Sequence, residues 1–320
     1  MANSADLAVL YEHPEWFELL FRELTRRGIP FAKVPAHELL FDPEDDGLPA
    51  PVILNRMSPS AWKRNHGNGI FAVKEYLRHV EARGAVVING TPAYAVETSK
   101  ALQLDLFRKL GVAYPRARVI NHASQAVAAS QGMRFPVVVK ANIGGSGAGI
   151  FKFDSVDELR DGVFDLGVDS TALVQEFLPA RESCITRVEV LNGEFLYAIQ
   201  ITTDFSNFNL CPADICQRDA APAPSMEVCP VEAPKKLKVV KADPPRDVIE
   251  AAIALAREAQ LDIGGIEYLI DDRDGRACFY DINALSNFVS DAVNIVGFDP
   301  TAKFVDYLET RLVRAAGTTR

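Results

Sequence analysis

Apolar and polar positions follow two rhythms along the chain, and the changes between them mark out its elements. Leu7–Tyr11 (LAVLY) is an unbroken apolar run of strand length. Over residues 14–27 (PEWFELLFRELTRR), Trp16, Phe17, Leu20, Phe21 and Leu24 recur at helical spacing on one face. Pro14 suits the first turn of that helix and Gly28 its stop. The segment 30–35, a loop rich in Asp and Pro, and the strand-like Val52–Arg56 (VILNR) come next. Residues 69–83 read as a second helix and residues 85–89 (AVVIN) as a further strand. Strand and helix alternating in this way predict a small parallel sheet.

Asn89-Gly90-Thr91-Pro92 is a turn signal. Beyond it the pattern predicts a helix over 94–110 ending at Gly111, a strand at Ala117–Ile120 and a helix near 124–131. Strands at Val137–Ala141 and 149–153, a helix at 156–163 and the strand LVQEF at 173–177 follow. From Arg187, RVEVLNGEFLYAIQI reads strand, turn, strand around Asn192-Gly193, the strongest short hairpin signal in the chain. Residues 202–245 are poorly periodic and rich in Pro, Asp, Lys and Cys, a connection of unusual length for a compact domain. A helix at 246–260, a hairpin at 265–283 and a helix at 301–315 complete the pattern. The expected organisation is α/β with α+β subdomains, in three units at 1–93, 94–177 and 178–320.

Composition narrows the function classes. The 320 residues suffice for two or three units. Apolar runs such as 85–88 and 136–139 fall far short of the ~20 residues of a membrane-spanning helix. The N-terminus carries no basic stretch followed by an apolar core, so a cytoplasmic location is expected. A net charge of −9 with no basic face argues against duplex nucleic acid as a partner. The odd count of five cysteines argues against a disulfide framework. Cys184 and Cys278 lie in strand-like runs and read as small core residues. Cys211, Cys216 and Cys229, spaced C-x4-C-x12-C, are three where a structural zinc site needs four ligands, so a metal there is the lesser alternative.

Two constellations carry chemistry. Lys140 ends a strand and is followed by a loop holding Gly144, Gly145, Gly147 and Gly149. Glycines let backbone N–H groups close on an anion, and the lysine adds a point charge for phosphate. The lysine precedes the glycines and no GK[ST] follows, so this is not a Walker loop; the bland alternative is a plain hairpin loop. The second constellation is the 265–283 hairpin, whose turn is DDRDGR at 271–276. Pairing symmetric about Asp274 sets Glu267 opposite Asp281, with Asn283 on the same face. Ile266, Tyr268, Ile270, Cys278, Tyr280 and Ile282 then form an apolar face. Two carboxylates and an amide oxygen suit magnesium shared with nucleotide phosphates; the alternative is a solvated polar face. By themselves Lys100 reads as a surface lysine and LVQEF as a strand end.

In order and spacing these segments resemble the ATP-grasp superfamily, and within it the RimK-like carboxylate–amine ligases, over about residues 52–287. The resemblance rests on ETSK at 97–100, FPVVVK at 135–140, the glycine loop, LVQEF at 173–177, Arg187, GIEYL at 265–269 and DIN at 281–283. It implies an ATP-grasp fold preceded by a parallel-sheet domain. It assigns Lys100 and Lys140 to the ATP phosphates and base, and Gly144, Gly145, Ser146, Gly147 and Gly149 to a flap over the phosphates. Gln175, Glu176 and Phe177 would hold adenine. Glu267, Asp281 and Asn283 would hold Mg2+, with Mn2+ as an alternative. Arg187 and Lys140 would stabilise the transferring charge, and Arg56 would lie near the acceptor substrate. The sequence departs from the family at Ile185, where a ribose-binding acid is usual; Glu182 is the nearest replacement. Asn207, Asn209 and Arg218 are the nearest substrate candidates in the loop after the Arg187 hairpin, a pattern that weakens any glutamate specificity.

The implied reaction is ATP-dependent joining of a small acid to an amine through an acyl phosphate, with no membrane or nucleic-acid partner. Relatives commonly self-associate. No protein nucleophile is required, so neither the cysteines nor His13, His37, His66, His79 and His122 read as catalytic. His13 follows the first strand, where open sheets bind ligands, but a structural role is favoured for it. The loop CPADIC at 211–216 is expected to shape substrate choice. A small-molecule kinase and a non-catalytic nucleotide-binding module would share the same nucleotide site.

Overall fold

The computed structural model describes residues 5–13, 15–145, 147, 149–202 and 237–318. Ser146, Asn207, Asn209, Arg218, Cys211, Cys216 and Cys229 lie outside them, as does Pro14. The first apolar runs become β1 (Leu7–Tyr11), β2 (Phe31–Pro35), β3 (Val52–Arg56) and β4 (Val86–Ile88), a parallel sheet of order β2-β1-β3-β4. A parallel sheet is stable only with both faces covered. Leu7 and Val9 meet Leu20, Phe21 and Leu24 of α1 (Glu18–Arg26) on one side. Ala8 and Leu10 meet Ile70, Val73 and Leu77 of α2 (Gly67–Ala82) on the other. Helix α1 begins four residues later than its apolar spacing suggests. The Glu15 N–H is taken by His13 Nδ1 at 3.2 Å, which makes a turn ahead of the helix. The strand order reverses between β1 and β3, so Glu12, His13 and Arg56 to Ser60 come together at the carboxyl ends of neighbouring strands.

The helix expected over 94–110 is two helices, α3 (Thr91–Glu97) and α4 (Lys100–Lys109). The Ser99 hydroxyl accepts the Leu102 N–H at 3.2 Å and caps a new start, which puts Lys100 in the first turn of α4. A second sheet follows, antiparallel, of β5 (Ala117–Ile120), β6 (Val137–Ala141), β7 (Ile150–Phe153) and β8 (Ala172–Glu176), in the order β5-β8-β6-β7. The short helices α5 (Ala126–Ala129) and α6 (Val156–Asp161) seal one face with Ala126, Ala129 and Leu159 against Val137, Val139 and Val174.

The third sheet is antiparallel, order β11-β10-β9-β12-β13. Its strands are β9 (Ala180–Leu191), β10 (Glu194–Thr202), β11 (Lys238–Lys241), β12 (Ile263–Asp271) and β13 (Ala277–Asn283). Asn192 and Gly193 both have positive φ, 54° and 72°, as a two-residue hairpin turn needs. Helix α7 (Arg246–Glu258) covers one face, setting Ala252, Leu255 and Ala256 against Val188, Val190 and Ile266. After the short α8 (Ala292–Val296) comes α9 (Pro300–Thr318). Its Phe304 and Leu308 join Ile185 and Ile199 of the third sheet to Leu7 and Leu54 of the first in one continuous core. Among the described residues no helix is long and apolar enough to cross a membrane.

Candidate functional site

Helix α4, the second sheet and the third sheet bring Lys100, Lys140, Arg187, Glu267, Asp281 and Asn283 together. Pairing in the β12–β13 hairpin sets Glu267 against Asp281, as the turn predicts. The register then slips: Tyr268 pairs with Phe279, leaving Tyr280 as the extra residue of a bulge. The apolar face therefore differs from expectation. Phe279 and Ala277 join Ile266, Tyr268, Ile270 and Ile282 against α4 and α7, while Cys278 and Tyr280 turn to the opposite face. Cys278 is buried, but Cys184 is only half-buried in the first half of β9, its thiol donating to Glu182 O at 3.2 Å.

Lys100 is not a surface lysine. Its Nζ lies 2.5 Å from Asp281 Oδ1 with only 13% of the side chain exposed. Burial opposes its charge, but Asp281, with Glu97 and Glu267 behind it, outweighs burial and raises its pKa. Lys140 is buried at the end of β6, with Nζ 3.4 Å from Tyr280 O. Burial, then the nearby Lys100, lower its pKa to about 8 against the pull of Asp281 and Glu267. Arg187 reaches Glu189 Oε1 through Nε at 2.6 Å and Glu267 Oε1 through Nη1 at 2.9 Å. Burial raises the Glu267 carboxyl, an effect countered first by Arg187. Asn283 turns its amide nitrogen to Gly265 O at 3.5 Å and Glu267 Oε1 at 3.4 Å. Among the described residues there is no group of three or more His, Cys, Asp or Glu arranged to hold a metal. The set here is two carboxylates and an amide oxygen, hard donors too few to cage a cation alone but suited to sharing one with phosphates.

The glycine loop closes through an Ala141 N–H to Gly149 O bond of 3.0 Å. Gly147 and Gly149 take φ of +68° and +73°, values that side-chain-bearing residues avoid. The loop reaches the first sheet: a Cβ on Gly145 would stand 3.1 Å from Ser60 Cβ. Gln175 is buried; Glu176 Oε1 accepts the Arg134 N–H at 3.0 Å and Oε2 lies 3.7 Å from Arg273. The Lys152 ammonium sits 5.5 Å over the Phe177 ring. Glu182 is exposed, with φ +55° at the start of β9, outside the charged cluster. Arg56 is buried between Phe17 and Phe304, with Nη2 donating to Ser286 O and with Nε and Nη1 lacking partners among the described residues. Desolvation lowers its pKa to about 10 despite Glu97 and Glu189.

Three residues of this region escape motif reading. Asn142 joins the two lysine-bearing elements, accepting Ala101 N–H at 2.9 Å and donating to Asp169 at 2.8 Å. Glu97 is buried at the end of α3 and accepts the Ala284 N–H; burial raises its carboxyl to about 7. Glu189 is wholly buried beside Arg187. The one sequence signal for it was its place two residues after Arg187, between Val188 and Val190.

This arrangement of a parallel sheet followed by two antiparallel sheets, with lysines and a glycine loop facing an acid-bearing hairpin, is that of the ATP-grasp fold. Residues 97–211 match the model of the RimK-like ATP-grasp domain, and the chain is RimK-like in that stretch. It is similar to the D-alanine–D-alanine ligase of Hydrogenovibrio crunogenus, 31% identical over 117 residues. That match spans 36% of this chain and 36% of the ligase, about a third of the relative's length. Among solved structures it resembles the ATP-grasp ligase PsnB complexed with minimal precursor, Mg and ADP, at TM-score 0.65 and 16% identity over 98% of this chain and 99% of that one. It also resembles D-alanyl-alanine synthetase A from Vibrio cholerae, at TM-score 0.68 and 13% identity over 98% and 100%. At such identities the likeness establishes the fold.

Proposed function

We propose that the chain is an ADP-forming carboxylate–amine ligase. A carboxylate oxygen takes the γ-phosphoryl group of ATP, ADP leaves, the amine nitrogen attacks the acyl carbon, and phosphate departs. The single observation that carries this reading is the convergence of Lys100, Lys140 and Arg187 on the Glu267, Asp281 and Asn283 face of one hairpin. Magnesium held by those three oxygen donors would neutralise charge on the transferring group. The chain's own part is positioning and charge placement. Lys100 and Lys140 bind phosphate oxygens, Arg187 faces the transferring group, and the glycine loop, closing towards Ser60, keeps water from the acyl phosphate. Buried donors without partners on Arg56 support a contact there with an anionic substrate. Small acids and amines, a cytoplasmic location and the three-unit division at 93/94 and 177/178 belong to the same proposal.

The test is ADP release by the purified chain across a matrix of acids and amines with Mg2+, each product identified by mass spectrometry. The ligase reading expects ADP only when acid and amine are both present, with an amide product. A stable phosphoester formed from a hydroxyl substrate would replace it with a kinase. Nucleotide binding with no turnover, and no loss of cellular function in Asp281→Asn, would replace it with a regulatory module.

A further inference from the structure

Arg187 and Glu189 stand two residues apart on β9 and so share a face; they pair with Glu267 and Gly265 on β12. The arginine side chain bends across Gly265. A Cβ placed on that glycine would fall 2.3–2.4 Å from Nη2, Cζ and Nε of Arg187. Gly265 has no positive φ, so the missing side chain, and not backbone freedom, is what this position requires. Glu189 Oε1 holds Nε at 2.6 Å, its side chain is 0% exposed, and its Oε2 has no hydrogen-bond partner among the described residues. Glu267 already sets one negative charge against the guanidinium at 2.9 Å. A second carboxylate, fully desolvated and half satisfied, opposes folding unless geometry requires it.

We propose that Glu189 and Gly265 are positioning residues that lock the Arg187 guanidinium in one plane beside Glu267. Gly265 provides the slot and Glu189 clamps the Nε edge, so the guanidinium cannot rotate off the hairpin. This deepens the ligase reading and rests on it: the locked cation is the one assigned to the transferring phosphoryl group. Misplacing such a group by ~1 Å costs on the order of 100-fold in rate.

Glu189→Ala, Glu189→Gln and Gly265→Ala are made in the full chain. The Arg187 Nε–Hε signal, assigned by its loss in Arg187→Lys, is followed in a proton–nitrogen correlation spectrum without nucleotide. It is expected to persist in wild type and Glu189→Gln, which keeps an oxygen acceptor, to vanish in Glu189→Ala and to shift in Gly265→Ala. Affinity for a fluorescent ATP analogue with Mg2+ is expected to stay within about threefold, because Lys100 and Lys140 are untouched. Turnover is expected to fall ~100-fold in Glu189→Ala and Gly265→Ala with little change in the KM for ATP, and to be largely rescued in Glu189→Gln. An unchanged Arg187 signal in Glu189→Ala overturns the proposal. So does a parallel fall of affinity, turnover and melting temperature in all three variants, which marks a merely structural role. A wild type that turns over no acid–amine pair but shows the expected Arg187 signals refutes the ligase reading and leaves the clamp supported.

Discussion

Asn89 carries more of the architecture than its place in a turn suggests, and its removal can be weighed from the structure. It follows β4, is 1% exposed, and takes φ +52°. Its side chain donates to Ile263 O at 2.8 Å and Ala284 O at 2.7 Å, and accepts Asp262 N–H at 2.8 Å and Ile263 N–H at 3.3 Å. One amide thus ties the first sheet to β12 and to the residue that follows Asn283. Asn89→Ala deletes all four bonds. Taking about 1–3 kcal/mol for each buried group left unpaired, and letting water or small shifts rescue half of the four, the loss is roughly 2–6 kcal/mol. Alanine tolerates the left-handed φ less well than asparagine does, which adds up to about 1 kcal/mol. Against a total stability of about 5–15 kcal/mol, that is a large fraction. Urea denaturation followed by fluorescence should place the Asn89→Ala midpoint well below wild type, and Asn89→Gly, which relieves the backbone, about 1 kcal/mol above it or level with it. If Asn89→Ala lies within 1 kcal/mol of wild type, the clamp is not shared by the two sheets in the way the hydrogen bonds imply.

Two further outcomes follow from the buried charges. Burial raises the Glu97 carboxyl from 4.5 to about 7, so between those values the folded chain keeps a proton that the unfolded chain has released. Stability from this group therefore falls as pH climbs through that window, by roughly 3 kcal/mol in all, and Glu97→Gln should flatten that slope in pH-dependent denaturation; an unchanged slope refutes the assignment. Lys140, lowered to about 8, is half protonated at pH 8, and phosphate oxygens would restore its proton. Nucleotide binding at pH 8 should then take up about half a proton, and Lys140→Met should abolish that uptake. Calorimetry in buffers of different ionisation enthalpy reads it directly, and equal uptake in both proteins would sink the assignment. Asp281→Asn should weaken Mg2+-dependent nucleotide binding by at least about tenfold through loss of a hard anionic donor, an effect absent when the titration is run in EDTA.

What could be read from the sequence, and what could not, divides along physical lines. Short-range patterns carried most strands of the three sheets, though not β11 within the 202–245 stretch, and with them the Asn192-Gly193 hairpin and the pairing of Glu267 with Asp281, because strand alternation and turn chemistry act within a few residues. The break at Thr98 and Ser99 was equally local: a serine cap was present but hidden inside an apolar pattern that ran through it. The Tyr280 bulge was not readable, since the helices that receive Phe279 and Ala277 lie far away in sequence. Glu97 and Glu189 were hidden for a related reason. A carboxylate reads as a solvated charge until distant segments close around it, and burial belongs to the assembled fold rather than to any window of the chain. The acids that motif reading found are those a turn brings together, whereas those it missed pair with Arg187 across one strand face or with Ala284 across nearly two hundred positions. The second kind holds the first in place, so the residues that position a site of this architecture are systematically harder to see in sequence than those that face its ligands.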